Sequence, residues 1–341
     1  MCCVVGNLCQ VKGSDTVWSD PMEKAPVKGW NYAPNVPIQV SPIFTWPWKP
    51  FEILKWVWNS WFLITEKLII VGLAFCSFYW FQPPLSDMKT LSIDWVLMLY
   101  LRNMALMIAV AGALHLYFYT FSKQGEALKY DKRPLMKNGK QFTLGGQIRD
   151  NMFWTLGSGV TIWTAYEVLM FWAMANGYAP VLSRADNPIW FVALFLMIPL
   201  WESFYFYWIH RMLHIPFLYK HVHALHHRNI NVGPWSGLSM HPVEHIIYLG
   251  TILIHWVVAA HPVHILFHLQ YYTLTAATTH TGFAGLLMKD ENRLKLGTFH
   301  HQMHHRYFEC NYGSLEIPWD KFFGSFHDGT QECDDRIKKR P

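Results

Sequence analysis

Residues Pro188–His214 read PIWFVALFLMIPLWESFYFYWIHRMLH, and the reading of this stretch decides the fold. From Pro188 to Ile209 its one acid is Glu202, and it holds no base. A helix crossing a bilayer needs about 20 mostly apolar residues, because each adds about 1.5 Å toward a hydrocarbon core about 30 Å thick. The run is long enough. It ends in His210 and His214, four apart, so that on a helix both imidazoles share one face. A membrane span that carries two potential metal ligands at its own end is the starting point for everything else.

Working outward, three more stretches have the length and apolarity of spans: about 56–81, ending before Pro83-Pro84, about 93–121, and about 152–175. With about 188–210 they make four transmembrane helices. A fifth apolar region, about 246–279, is interrupted by His255, His261-Pro262, His264 and His268, and reads as a helical hairpin or two short, partly inserted helices. The composition agrees: 52% of the 341 residues are apolar and only 15% charged, against about 25% in soluble domains, which excludes a disordered chain. The 18 Trp fit rings anchored at a lipid–water interface. A net charge of +5 is too modest to indicate a nucleic-acid partner.

Lys and Arg gather on the cytoplasmic side of membrane proteins. The connection between the second and third spans carries Lys123, Lys129, Lys132, Arg133, Lys137, Lys140 and Arg149, whereas 82–92 and 176–187 carry only Lys89 and Arg184. The basic loop and everything just after His210 are therefore expected in the cytoplasm. Residues 1–50 read as a cytoplasmic arm, 51–328 as one domain, and 329–341 as a solvated tail. Six cysteines (Cys2, Cys3, Cys9, Cys76, Cys310 and Cys333) show no paired spacing, so free thiols in a reducing compartment are expected. Cys2 and Cys3 could alternatively be acylated. No secretory signal opens the sequence.

Histidine is the outlier, with 19 copies. After HRMLH comes HALHH, giving His223, His226 and His227 at i, i+3, i+4. HHQMHH repeats the spacing as His301, His304 and His305. One such group is weak evidence, since histidines also pack as core residues. Two copies beside HxxxH at one membrane face are not explained by packing, because each unpartnered buried imidazole costs a few kcal/mol, about 1–3 on mutational scales. Neutral imidazole suits iron, zinc or copper.

HRMLH, HALHH and HQMHH, in this order after a membrane region, resemble the three histidine boxes of the fatty acid hydroxylase/sterol desaturase superfamily. HTGF at His280–Phe283, CNYGSLEIPWDKFFGSF from Cys310, and YWIHR before the first box extend the likeness over about residues 150–328. The resemblance implies an all-α integral membrane protein with a cytoplasmic histidine-rich cap holding a dimetal centre. Its ligands would be His210, His214, His223, His226, His227, His301, His304 and His305, with His280 as a ninth. His241, in SMHPVEH, is a candidate tenth ligand or a neighbour of the ligands, and His300 a neighbour. Glu202 stands one residue from Ser203, the position at which many members carry an acid. An intramembrane acid is a functional candidate by default, and its expected role is to fix the tautomer of a ligating imidazole. His245, His115 and Glu167 read as structural, and His261, His264 and His268 as lining an interface or vestibule.

The resemblance further implies O2-dependent hydroxylation or desaturation of a sterol, fatty acyl or other hydrophobic lipid by two iron ions, with zinc able to replace iron on purification. The chain has no dinucleotide, flavin, haem or iron–sulfur motif, so the electrons are expected from a cytochrome b5-like or ferredoxin-like donor. Lys132, Arg133, Arg211 and Arg228, with Lys220 and Arg306, form a candidate docking face for such acidic proteins. The membrane would be the endoplasmic reticulum in a eukaryote or the inner membrane in a bacterium. Two rivals stand beside this reading: a zinc-bound structural subunit that retains the boxes, and a transporter, against which the absence of internal repeats argues.

Overall fold

Prolines and hydroxyl caps cut the apolar runs into helices. The computed structural model describes residues 29–63, 65–288 and 291–338. Cys2, Cys3, Cys9 and the first 28 residues of the expected arm lie outside them. The helices are α1 (Pro50–Val57), α2 (Glu66–Trp80), α3 (Ile93–His115), α4 (Gln147–Trp154), α5 (Val160–Ala175), α6 (Pro188–Leu213), α7 (Pro216–Leu218), α8 (Ala224–His227), α9 (Pro242–Leu249), α10 (Pro262–Thr279), α11 (Phe299–Tyr307), α12 (Trp319–Phe322) and α13 (Gln331–Lys338). Proline opens α6, α9 and α10, where its fixed φ suits the first turn and its missing N–H is not needed. Thr65, Ser92 and Thr298 cap α2, α3 and α11 through their side-chain oxygens.

The centre of the bundle is α10. All its residues except Thr275 and Thr279 are buried, as expected of a helix that is surrounded on every side. It packs against α2, α3, α5 and α6. A buried ion pair joins α3 to α5: Arg102 meets Glu167, whose other oxygen accepts from Asn103 Nδ2 at 2.6 Å. Glu167 is thereby satisfied within the core, whereas His115 Nδ1 has no partner. The expected hairpin is present. From Pro242, α9 and the turn Gly250–Trp256 run to Ala260, which pairs with the 176–187 connection through Leu182 N–Ala260 O (3.0 Å), and α10 returns.

The span pattern differs from expectation in two places. Among the described residues, two helices are long and apolar enough to cross a membrane alone, Ile93–Thr120 and Pro188–Leu213; the bent pair Pro50–Trp61 and Glu66–Trp80 makes a third if it counts as one span. The 56–81 run breaks because Thr65 caps a new helix, with a 41° bend. The 152–175 run stays helical, α4 passing into α5 through the wide turn Thr155–Gly159 without leaving helical backbone angles, yet it is not among the helices long and apolar enough to cross a membrane.

Three smaller departures concern the rim. The chain is not wholly α, since Gly285–Met288 (β1) and Glu291–Lys295 (β2) pair antiparallel just after the HTGF segment. The expected solvated tail begins as α13, with Cys333 and Asp334 buried and Asp334 3.0 Å from His327 Nε2. Residues 29–38 lie across α11: Trp30 is buried against Phe299, and the Arg306 guanidinium stacks 3.4 Å above its ring. Cys76, Cys310 and Cys333 form no disulfide among the described residues.

Candidate metal centre

Box one rides on the end of α6, with His210 in its last turn and His214 as its C-cap. Box two begins in a wide turn, Tyr219–His223, and finishes as α8. Box three lies on α11, started by Thr298, whose hydroxyl accepts from His301 N at 3.2 Å. His280 ends α10 and brings the central helix to the same place.

Here the nine histidines named from the resemblance come together in two abutting groups. His210, His214, His223, His227 and His304 form one, and His226, His280, His301 and His305 the other; within each, the ligand atoms lie within 4.8 Å of one another. The spacing explains the division. Residues four apart share a helix face and the residue at i+3 is displaced around it. Box two therefore sends His223 and His227 to the first group and His226 to the second. Box three reverses this, sending His301 and His305 to the second and His304 to the first.

The ring nitrogens then settle what the groups can hold. His210 Nδ1 donates to Tyr312 O (2.6 Å), His304 Nδ1 to Cys310 O (2.6 Å), His280 Nδ1 to Ala276 O (2.8 Å), His226 Nδ1 to Ser239 O (3.3 Å), and His223 Nδ1 to Glu244 Oε1 (2.7 Å). A carbonyl accepts but never donates, so in the four rings that face one the neutral ring's proton is on Nδ1 and Nε2 presents a lone pair. The Nε2 atoms converge, at 3.1 Å for His210–His223, 3.0 Å for His227–His304, and 3.0 Å for both His280–His305 and His280–His301, and in each pair one ring (His210, His304 or His280) has its lone pair fixed there by the carbonyl behind it. Opposed lone pairs repel unless a cation lies between them. A metal about 2.1 Å from two nitrogens at a right angle holds them about 3.0 Å apart, so the donor set fits a metal ion in each group.

Burial keeps the donors neutral. Loss of solvent, then mutual repulsion, lowers His223, His227, His301, His304 and His305 well below the ordinary imidazole range; burial pushes His226 down to about 4 despite the Ser239 carbonyl. Burial likewise holds the Glu244 carboxyl well above the usual carboxylate range.

The remaining candidates lie outside both groups. His241 caps α9, its Nδ1 accepting from Val243 N at 3.2 Å. His300 stands 3.7 Å from Asp320 Oδ2. Glu202 lies 3.3 Å from His268 Nε2, and His268 Nδ1 is bonded to His255 Nε2 at 3.0 Å, so Glu202 orients none of the nine rings. That role falls to Glu244, which the sequence reading passed over; its signal was an acid one turn inside a Pro-initiated helix, between His241 and His245. His245 is structural, bonded to Leu238 O and Ser158 Oγ, both at 3.0 Å. His264 Nε2 donates to Phe191 O at 2.8 Å, and His261 caps α10.

The CNYG…WD…FGSF segment also acquires a physical reason. Asp320 accepts from Tyr312 N (2.8 Å), Gly313 N (2.8 Å) and Ser325 Oγ (2.6 Å). Asn311, at φ 57°, bonds His300 O and His327 O, both at 3.1 Å. The clasp fixes the Tyr312 carbonyl against His210. Gly237 is needed beside α10, where a Cβ would stand 1.9 Å from Ala276 O, the acceptor of His280.

Of the candidate docking bases, Lys132, Arg133, Arg211 and Lys220 are exposed. Arg133 and Arg306 both pair with Asp131, and Arg228 pairs with Asp150, so these three charges are partly neutralised within the chain.

A cavity of about 210 Å³ opens onto both groups through His210, His223, His226, His280 and His301. Its walls are mainly apolar and aromatic, including Phe206, Met240, Tyr248 and Tyr272.

Residues 195–325, which contain all nine histidines and the cavity's principal walls, match the family model for fatty acid hydroxylase. The chain is similar to an Arabidopsis thaliana protein named as a Delta(7)-sterol-C5(6)-desaturase, at 31% identity over 48% of this chain and 59% of the relative. It is also similar to a Delta(7)-sterol 5(6)-desaturase of Aspergillus fumigatus (28%, over 66% of each chain) and to one of Gibberella zeae (26%, over 67% and 68%). No solved structure matches the chain. Family model and relatives fall on the segment that builds the two histidine groups, and together they support the fatty acid hydroxylase/sterol desaturase superfamily.

Proposed function

We propose that this protein is a membrane oxidoreductase that hydroxylates or desaturates a hydrophobic lipid with O2, using two iron ions held by the nine histidines. The observation that carries the reading is the convergence of nine ring nitrogens, in groups of five and four, at the end of a largely apolar cavity. Bound iron would supply O2 activation and removal of hydrogen from an unactivated carbon. The chain's own contribution is to bind and orient the lipid, to exclude water around the reacting carbon, and to orient His210, His223, His226, His280 and His304 through their Nδ1 partners. Glu244 would be drawn toward its ionised form by two cations beside His223.

In the proposed topology α2, α3, α5 and α6 make the four crossings and the 242–279 hairpin inserts among them. The centre then faces the cytoplasm, where a cytochrome b5-like or ferredoxin-like donor can dock over Lys132 and Arg211. The membrane is the endoplasmic reticulum in a eukaryotic host and the inner membrane in a bacterial one. The test is mass spectrometry of lipids from cells expressing the wild type or His226→Ala. A lipid that gains oxygen or loses two hydrogens only with the wild type is expected; identical lipid profiles would overturn the activity.

A further inference from the structure

The cavity has a second end that the metal chemistry does not use. Away from the histidines it is lined by Glu66, Glu202, Ser203, Ser314 and Glu316. Three carboxylates and one Lys in an apolar bundle are costly and call for an explanation. Most have partners: Lys67 Nζ is 3.0 Å from Glu316 Oε1, Thr278 Oγ1 donates to Glu66 Oε2 at 2.5 Å, and Ser203 Oγ is 2.9 Å from Ser314 Oγ. Glu202 is different. It is 3% exposed, and its Oε1 completes no hydrogen bond although His268 lies 3.3 Å away. Tyr272, on the same wall, also has an unpartnered buried hydroxyl.

We propose that this end binds the hydroxyl of a lipid alcohol, with Glu202 as the principal partner and Tyr272, Ser203 and Ser314 around it, so that the lipid's ring or chain lies toward the histidines. The inference rests on the lipid-oxidising reading above and adds to it the substrate's polar group. The donor and acceptor inventory selects a hydroxyl, which donates one hydrogen bond and accepts up to two. Tyr and Ser hydroxyls can supply donors and the carboxylates acceptors. An ammonium head would use only the acceptors and would have to shed its hydration in an apolar cavity. A carboxylate or phosphate head would meet three acids against one Lys, already engaged by Glu316. The site therefore discriminates against anionic lipids by repulsion as well as selecting alcohols by hydrogen bonding. Glu202 is a positioning and specificity residue in this account, not a metal-orienting one.

The test is equilibrium binding to the metal-loaded, detergent-solubilised protein, with two probe sets: cholesterol against its 3-O-methyl ether, and hexadecanol against hexadecylamine and hexadecanoate. At least one alcohol should bind tenfold or more tighter than its ether, amine or acid counterparts. Glu202→Leu should erase that preference, and Glu202→Gln, which keeps an acceptor oxygen, should retain it within about threefold. Unchanged metal content shows that each variant is folded. Equal affinity for alcohol and counterparts, tighter binding of the amine or acid, or an undiminished preference in Glu202→Leu would overturn the proposal. Because binding is read without turnover, a protein that prefers alcohols but leaves cellular lipids unchanged refutes only the oxidising function. One that oxidises lipids without the preference refutes only this inference.

Discussion

Removing the carboxylate behind His223 separates an acid that orients a ligand from one that does not. His223 Nδ1 and Glu244 Oε1 are 2.7 Å apart, and both side chains are 2% exposed, so no solvent replaces the acceptor when it is lost. Loss of such a partner to a metal-bound imidazole typically costs 10–100-fold in metal affinity, about 1.4–2.7 kcal/mol. Glu244→Ala is expected at the upper end, because His223 then keeps a buried N–H with no acceptor and its ring is free to rotate. Glu244→Gln retains an acceptor oxygen without charge and should lose about tenfold. Glu202→Gln is the control: its nearest imidazole, His268, belongs to neither group, and metal affinity should stay within about twofold. Chelator competition at fixed pH, with metal content measured after equilibration, gives all three values. Equal losses in Glu202→Gln and Glu244→Gln, or none in Glu244→Ala, would refute the assignment.

Gly237→Ala should displace Ala276 and with it the acceptor of His280, lowering stability by about 1–3 kcal/mol and depleting the second metal first; thermal unfolding and metal analysis check it. Asp320→Ala should orphan three donors in the clasp behind His210, at about 1–3 kcal/mol each when they stay dry, and loosen the first metal. Glu167→Leu leaves Arg102 buried without its carboxylate and should cost about 3–5 kcal/mol, read as reduced folded yield, while Arg102→Met with Glu167→Leu should recover much of it. For the metal-free protein the sign of the pH effect follows from His226, held at about 4 against 6.5 when exposed. The unfolded chain takes up the proton first, so stability is lost as pH falls from about 6.5 to about 4 and is level above 7. Stability unchanged across that window would mean that the ring is solvated.

The candidate centre was legible because its information is local. HxxxH and HxxHH place side chains on one helix face whatever the tertiary fold, and all nine histidines that the boxes and the HTG segment single out meet in space. The exchange of ligands between boxes two and three was not legible, since it depends on how α8 and α11 face each other. Glu244 was missed for the same reason. An acid in the first turn of a helix is ordinarily a solvent-facing partner of the helix dipole, and only tertiary packing buries this one beside His223. Glu202 attracted attention because it interrupts an apolar run, yet depth in a helix does not say which neighbour it faces. The helical, membrane character followed from composition and run length. The break at Thr65 did not, because hydropathy averages over the cap that divides a run. The β1–β2 hairpin is too short to register against the surrounding helices.

The central claim is that the nine histidines hold two metal ions, and the direct measurement is the number of metals per chain. Protein purified without chelator and reconstituted with ferrous iron under anaerobic conditions, then desalted, should carry about two iron ions per chain by elemental analysis. The histidine division into groups of five and four predicts that the count is the same, about two, when zinc is supplied instead. A ratio of one or none with either metal would contradict the account.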